Sequence, residues 1–291
     1  MEIDINKEQF LEKLIALIYL FRPERTIMIA LVTGTAAIAS SAQWQDILWI
    51  TFAGWCLAIS GFSLDFCADK ELDKLAPRAK IRRNPIAREM ISLPVGIAFS
   101  LLFMAGSFVI ILLKSPFGLI PWGIVVLIII GLAFHWFNTP IARGLTLGGL
   151  QLLYFFMGAS IGSITDEIIV LAIMFFFAMF GGKGVTDIRD FPQDQETPVQ
   201  TFPKRFGIKR TAQITAVNLS IAYLLSLVAY FISDFSNLYL YLDIVFIVTG
   251  IIITGLFLYK ASPKLALRIT MIYMMGQGVI ICLAIILGKL L

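Results

Sequence analysis

The fold and function are best predicted from the stretch Asp65-Phe66-Cys67-Ala68-Asp69-Lys70-Glu71-Leu72-Asp73, in which three aspartates recur every four residues. On an α-helix each of these carboxylates is rotated only about 40° from the one before it, so all three share one face. They follow directly on the apolar run 49–64, which is typical of a membrane span. Carboxylates at such a boundary are costly and by default mark a functional site.

A second acidic cluster has the same relation to the membrane. Asp187, Asp190 and Asp194 follow another apolar run, with the spacing i, i+3, i+7. Two acidic faces at the same kind of boundary predict one shared site that attracts cations.

The composition predicts an all-α, polytopic membrane protein. The chain has 291 residues, of which 59% are apolar and 14% charged, and its mean hydropathy is +0.89. Apolar stretches of about 18 or more residues recur along its length, whereas a β-barrel would show short alternating segments. We therefore expect the lipid bilayer as a partner and no nucleic acid.

We predict nine transmembrane helices in a bundle around a central cavity, preceded by an amphipathic interfacial helix over residues 7–21. The predicted spans are roughly 26–43, 45–64, 93–113, 121–137, 146–163, 168–185, 212–232, 239–259 and 265–288.

The distribution of Lys and Arg predicts the orientation. With the N-terminus in the cytoplasm, only Lys114 and Lys289 of the 23 basic residues lie on the outer side. By the positive-inside rule, we expect a cell-membrane protein with both acidic clusters in the cytoplasm and the C-terminus outside.

Each acidic cluster follows an even-numbered span, the second and the sixth, which indicates a weak internal repeat. We predict a single transmembrane domain over residues 1–291, with two four-helix halves at about 1–145 and 146–264. A closing ninth helix would occupy 265–291. The two clusters would then face one cavity from opposite sides.

Six aspartates facing one cavity would repel one another unless a cation bound there. Mg²⁺ suits them because it prefers oxygen ligands and is typically held by carboxylates together with substrate phosphates. A zinc site is not expected, since the chain has one histidine, His135, and three widely separated cysteines. The predicted metal-binding and catalytic residues are Asp65, Asp69, Asp73, Asp187, Asp190 and Asp194.

Basic residues beside the clusters predict that the bound anion is a diphosphate. The candidates from this neighbourhood are Lys74, Arg82, Arg83 and Lys204. A diphosphate head at the membrane boundary with an apolar bundle behind it describes an isoprenyl diphosphate. Mg²⁺ would stabilise the leaving group as the allylic C–O bond breaks, and the membrane cavity would exclude water.

The motif Asp65-x-x-x-Asp69-x-x-x-Asp73 resembles the first Asp-rich motif (NDxxDxxxD) of the UbiA superfamily of intramembrane prenyltransferases. Asp187-x-x-Asp190-x-x-x-Asp194 resembles the second motif of that superfamily. The resemblance extends over nearly the whole chain, through nine spans with the motifs after spans two and six. It implies Mg²⁺-dependent transfer of a prenyl group from a diphosphate donor to an aromatic or lipid acceptor.

The resemblance also adds candidate diphosphate ligands. Arg22 stands in a variant of the Arg-Pro-x-Asn sequence of the family, Arg143 in the loop after span four, and Lys183 ahead of the second motif. Asp65 replaces the first Asn of the family. Among the acceptors of the family, a glycerol-phosphate lipid fits a chain of this length, and a quinone precursor and a chlorin-type acceptor are the other candidates.

The residues leave other interpretations open. A secondary transporter or divalent-cation carrier would also use intramembrane carboxylates, although near mid-membrane in broken helices. A phosphatidyl-transfer enzyme would carry a D-G-x-x-A-R signature, which this chain lacks. His135 is expected to be a packed or interfacial side chain rather than a general base. The pair Gly181-Gly182 indicates either a helix break or close helix packing.

Overall fold

The computed structural model describes residues 7–75, 84–195, 199–270 and 276–291. Within these ranges the regular structure is α-helical apart from one 3₁₀ turn at Pro116–Gly118, and it contains no β-strand. This confirms the all-α class. The α-helices are α1 (Lys7–Phe21), α2 (Pro23–Ala39), α3 (Trp44–Ala68), α4 (Lys70–Leu75), α5 (Leu93–Lys114), α6 (Leu119–Ala133), α7 (Pro140–Ala159), α8 (Asp166–Asp194), α9 (Phe202–Ile232), α10 (Asn237–Lys260), α11 (Pro263–Thr270) and α12 (Gly276–Leu290).

Six helical segments are long and apolar enough to cross a membrane: α3, α5, α6 with its preceding 3₁₀ turn, α8, α9 and α10. Among the described residues, α2, α7 and α12 do not meet both conditions. A helical membrane protein is therefore confirmed, with six spans identified by length and composition.

Proline and threonine define several helix starts. Proline occupies the first turn of α2, α5, α7 and α9, where its missing N–H has no intrahelical partner to lose. At α7, the Thr139 hydroxyl accepts a hydrogen bond from the Ala142 N–H at 3.1 Å. The fifth predicted span therefore belongs to a helix that begins earlier in the chain than the pattern of apolar residues suggested.

The sixth predicted span belongs to the 29-residue helix α8, which continues through the second acidic cluster to Asp194. The glycine pair does not break this helix. A Cβ atom added to Gly181 would lie 2.8 Å from Leu219 Cγ on α9. The glycine therefore permits close packing of α8 against α9, which agrees with the second of the two interpretations.

Two other predicted spans differ in their bounds. Helix α9 begins at Phe202, well before the predicted position near 212, and Gly207 interrupts it with φ 78°. The region of the predicted ninth span contains α11 and α12, while 271–275 lies outside the described residues. The sequence did not predict the short helix α11 or the early start of α9, because their apolar residues are continuous with those of the neighbouring spans.

Helices α2 and α7 lie at the centre of the bundle, because both contribute to its two main hydrophobic clusters. One cluster joins them to α8, α9, α10 and α12, and the other joins them to α3, α5 and α6. A Cβ atom on Gly158 of α7 would come within 3.0 Å of the Ala36 Cβ on α2. This packing brings the start of α2 and the ends of α3 and α8 to one end of the bundle.

Candidate active site

The first acidic cluster crosses a helix boundary without losing its common face. Helix α3 ends at Ala68, and Asp69 is its C-cap residue, with its N–H donating to the Asp65 carbonyl at 2.9 Å. The Asp73 N–H donates in turn to the Asp69 carbonyl at 2.8 Å. The near-helical backbone keeps all three carboxylates on one side, where they line the same cavity.

Each carboxylate of this cluster has a neighbour from a different part of the chain. Arg22 Nη1 lies 3.5 Å from Asp65 Oδ2, and His135 Nε2 lies 3.4 Å from Asp69 Oδ1. The Asn84 amide donates to Asp73 Oδ2 at 2.9 Å. The cluster is therefore held from three directions: the start of α2, the loop after α6 and the segment before α5.

Asn84 is fully buried and its side chain makes bonds in both directions. Its Nδ2 also donates to the Phe66 carbonyl at 2.9 Å, while its Oδ1 accepts the N–H groups of Ile86 and Ala87. The amide thereby fixes the loop 84–91 against the end of α3. Asn84 acts as a positioning residue for Asp73.

The second cluster divides between two environments. Asp190 lines the cavity with 31% of its side chain exposed, and Arg189 binds it through two hydrogen bonds of 2.8 and 2.7 Å. Asp187 has only 4% of its side chain exposed, accepts the Phe202 N–H at 3.2 Å and pairs with Lys183. Asp194 is buried and is not among the residues lining the cavity.

The cavity has a volume of about 350 Å³ and lies between the ends of α3 and α8. Its wall contains the four carboxylates of Asp65, Asp69, Asp73 and Asp190, and four basic side chains. Those basic side chains are Arg22, Arg25, Arg189 and Lys264. Carboxylates next to an equal number of basic side chains form a site that can bind a metal and a polyanion together.

Aromatic rings support the arginines on the α2 side. The Arg22 guanidinium carbon lies 4.4 Å from the ring centroid of Phe66 and 5.3 Å from that of Phe62. Arg25 lies 5.8 Å from the Phe62 centroid. Cation–π contact with two rings of α3 holds these arginines toward the cavity.

Of the predicted diphosphate ligands, Arg22 lines the cavity, whereas Lys74, Arg143, Lys183 and Lys204 are not among its lining residues. Lys74 binds Glu89 at 3.2 Å, and this hydrogen bond raises the pKa of the lysine. Lys204 donates to the Val199 carbonyl at 3.1 Å. The other two predicted ligands, Arg82 and Arg83, lie outside the described residues.

Several lining residues were missed by the sequence analysis. Arg25 lies three residues after Arg22, and Arg189 directly precedes Asp190, so their closeness to predicted residues was an available signal. Pro263, Lys264 and Leu267 come from α11 and close one side of the cavity. Nothing in the local sequence of α11 indicates its proximity to residues nearly 200 positions earlier.

The carboxylates of the cavity fit Mg²⁺ when water and phosphate oxygens supply the remaining ligands. Among the described residues, no group of three or more His, Cys, Asp or Glu side chains is arranged to hold a metal by itself. The cavity carboxylates do supply hard oxygen atoms from two helices that end at the same place. This is the arrangement in which Mg²⁺ takes one or two carboxylates and completes its shell with water and phosphate oxygens.

The fold and the site define a helical membrane protein with a cavity of acidic and basic side chains at one end. Sequence comparison gives its family. Residues 26–275 match the UbiA prenyltransferase family. The chain belongs to this family and is a membrane prenyltransferase. No curated protein sequence matches the chain significantly.

Solved structures share the fold at low sequence identity. A structure concerned with digeranylgeranylglyceryl phosphate synthase in membranes matches with a TM-score of 0.76 and 21% identity, covering 96% of this chain and 99% of that one. A UbiA homologue from Archaeoglobus fulgidus bound to GPP and Mg²⁺ gives 0.73 and 18%, with 91% and 99% covered. The apo structure of a homologue from Aeropyrum pernix K1 gives 0.71 and 20%, with 89% and 98% covered.

Proposed function

We propose that this prenyltransferase transfers a polyprenyl group, such as geranylgeranyl, from its diphosphate to a hydrophobic acceptor. One observation supports this above all. A single cavity at the end of an apolar bundle is lined by the three carboxylates of the first acidic cluster, one carboxylate from α8 and four basic side chains. A polar head and a long apolar tail would both be accommodated there.

We assign Mg²⁺ to Asp65, Asp69, Asp73 and Asp190, with Asp187 and Asp194 as predicted members of the same set. When bound, Mg²⁺ supplies Lewis-acid stabilisation of the negative charge on the leaving diphosphate. The A. fulgidus homologue, which shares the fold, was solved with GPP and Mg²⁺. That precedent supports metal dependence here.

The basic side chains of the cavity bind and orient the donor. Arg22, Arg25, Arg189 and Lys264 carry fixed positive charge toward the place where the diphosphate gains charge. The allylic C–O bond breaks with its electron pair leaving on the diphosphate, and the acceptor oxygen or carbon forms the new bond to the allylic carbon. The acceptor then loses its proton to water or a basic group.

The remaining predicted diphosphate ligands, Lys74, Arg82, Arg83, Arg143, Lys183 and Lys204, stay predictions. Those within the described residues lie in helices and are not among the residues that line the cavity.

For the acceptor we propose a glycerol-phosphate lipid. The fold similarity to a structure concerned with digeranylgeranylglyceryl phosphate synthase over 96% of this chain supports this choice. A quinone precursor is the alternative within the same reaction class. A carrier function is disfavoured, because the carboxylates lie at the ends of the continuous helices α3 and α8 rather than within broken ones.

We further propose the nine-span topology within a single domain at 1–291, with α2, α7 and the α11–α12 region completing the six identified spans. The two halves would be about 1–145 and 146–264, followed by the closing helix 265–291. The strongly uneven distribution of Lys and Arg supports a cytoplasmic N-terminus and an external C-terminus.

The test is an acceptor screen with purified protein, geranylgeranyl diphosphate and Mg²⁺. Geranylgeranylglyceryl phosphate and 4-hydroxybenzoate are offered in parallel, and products are identified by mass spectrometry. The proposal expects a doubly prenylated glycerol phosphate and no product from Asp69→Asn. Product from the aromatic acceptor alone would replace the lipid assignment with a quinone-type one.

A further inference from the structure

A second polar cavity, of about 320 Å³, lies at the end of the bundle opposite the candidate active site. Helix α8 connects the two, with Glu167 in the second cavity and Asp190 in the first. At a rise of about 1.5 Å per residue, these side chains are separated by about 35 Å, which is close to the thickness of the hydrocarbon core of a bilayer. The second cavity therefore lies at the other membrane boundary.

One carboxylate of the second cavity belongs to a largely buried residue and has no partner among the described residues. Glu167 is 9% exposed and lines the cavity, yet its side chain has no hydrogen-bond or ion-pair partner among the residues the structure describes. The neighbouring Asp166 lies in the same first turn of α8 and is exposed. An exposed acid is enough to complement a helix N-terminus, so that role alone does not explain the burial of Glu167.

The rest of the wall leaves the charge of Glu167 uncompensated. Within the part of the chain that the structure describes, the other charged lining residues are Lys289 and Asp234, and they pair with each other at 2.7 Å. This hydrogen bond holds the pKa of the Asp234 carboxyl below its usual range, which favours its ionised form. The lining thus has one more carboxylate than basic side chains, an imbalance that a cationic ligand would neutralise.

The other polar groups suit a hydrogen-bonding cation. The hydroxyl-bearing residues of the wall are Ser40, Ser41, Ser163, Thr165 and Ser233. Helices α2 and α9 also end here, at Ala39 and Ile232, and a helix C-terminus favours positive charge. A hard divalent ion prefers several carboxylates in a tight shell, whereas one carboxylate among hydroxyls in a larger space matches the three N–H donors of a primary ammonium.

Apolar side chains beside the cavity indicate where the rest of the ligand lies. Ile232 lines the cavity and is 45% exposed, while the adjacent Phe231 and Ile164 are 73% and 57% exposed. At a membrane boundary these surfaces contact acyl chains. We propose that this cavity binds the headgroup of an amino-phospholipid, with the ammonium group on Glu167 and the acyl chains along Phe231 and Ile164.

The test uses purified full-length protein in detergent micelles. Dioleoyl phosphatidylethanolamine is titrated against dioleoyl phosphatidylcholine, and bound lipids are counted by native mass spectrometry alongside thermal melting. The ethanolamine lipid is expected to bind at least tenfold more tightly than the choline lipid, whose quaternary nitrogen donates no hydrogen bond. The melting temperature should rise by about 3 °C at a saturating concentration of the ethanolamine lipid.

Two variants form a matched pair. Glu167→Gln should lose the preference for the ethanolamine headgroup, while Asp166→Asn should keep it. Equal binding of the two lipids by the wild type would overturn the proposal, even if Glu167→Gln failed to fold. The inference would also be wrong if free phosphoethanolamine stabilised the protein as well as the lipid does, or if only CaCl₂ or NaCl did so. Because the readout is lipid binding, it is independent of the prenyl donor and acceptor.

Discussion

The two acidic motifs have similar sequences but occupy different surroundings in the structure. All three carboxylates of the first motif line the cavity, whereas of the second motif only Asp190 does. In the second motif the seven-residue spacing between Asp187 and Asp194 aligns them within about 20° on the helix, while Asp190 is turned from them by about 40–60°. The cavity meets the face of Asp190, and the other two aspartates are directed into protein.

The difference separates aspartates that can bind a ligand from one that joins two helices. The first motif is spread over the end of α3, its C-cap and α4, so each carboxylate can approach a ligand from a slightly different position. The second motif lies on one continuous helix, and Asp187 joins that helix to the start of α9 through the Phe202 N–H. We infer that the first motif and Asp190 serve the ligand, while Asp187 mainly maintains the site.

The largest expected effect is on catalysis by the cavity carboxylates. Asp69→Asn and Asp190→Asn should each lower kcat/KM by about 10²–10³-fold, because each removes a negatively charged oxygen donor from the proposed metal–diphosphate site. Thermal melting should change little. Asp46→Asn, which alters a carboxylate paired with Lys114 away from the cavity, is the control. Near-normal activity in either cavity variant would contradict the assignment.

The next effect sharpens the role of Asp187. Asp187→Ala should lower the free energy of unfolding by about 3 kcal/mol, because it leaves Lys183 without its carboxylate and the Phe202 N–H without an acceptor. Activity per folded molecule should fall far less than in Asp190→Asn. Chemical or thermal denaturation in micelles measures the change.

A double variant provides the control for Asp187. Asp187→Ala with Lys183→Met should recover part of the lost stability, since it removes the unpaired buried charge. If Asp187→Ala kept full stability but lost all activity, the inference that Asp187 mainly maintains the structure would be wrong.

A smaller effect is expected from Asn84. Asn84→Ala should weaken the apparent affinity for Mg²⁺ about tenfold, because the amide that orients the Asp73 carboxylate is lost. The measurement is a Mg²⁺ titration of activity. Asn218→Ala removes a comparable side-chain bond, from Asn218 to the Ile214 carbonyl, and should leave that titration unchanged. Equal titrations for both variants would exclude a positioning role.

The smallest effect distinguishes two predicted arginines. Arg22→Gln should raise KM for the prenyl diphosphate about fivefold, because the guanidinium lines the cavity beside Asp65. Arg143→Gln should leave KM within twofold, since Arg143 is not among the lining residues. Steady-state kinetics with the donor varied measures both. The reverse order would mean that the first turns of α7 contact the donor.

The sequence was sufficient for the helical membrane class and for the face shared by Asp65, Asp69 and Asp73, because both depend on local periodicity. The family resemblance also singled out Arg22, which lines the cavity. The sequence could not predict that Asp187 is buried and Asp190 lines the cavity. Helical spacing does not show which face of a helix packs against α9 and which faces a cavity. Lys264 was missed for the same reason: its position depends on how α11 packs across the end of the bundle.

The central claim is that one metal–diphosphate site lies between the two motifs. The most direct measurement is binding of a non-hydrolysable geranylgeranyl thiolodiphosphate to the purified protein, with Mg²⁺ and with EDTA. The account predicts binding that requires Mg²⁺ in the wild type and is lost in both Asp69→Asn and Asp190→Asn. Binding that is indifferent to Mg²⁺ and unchanged in both variants would contradict it.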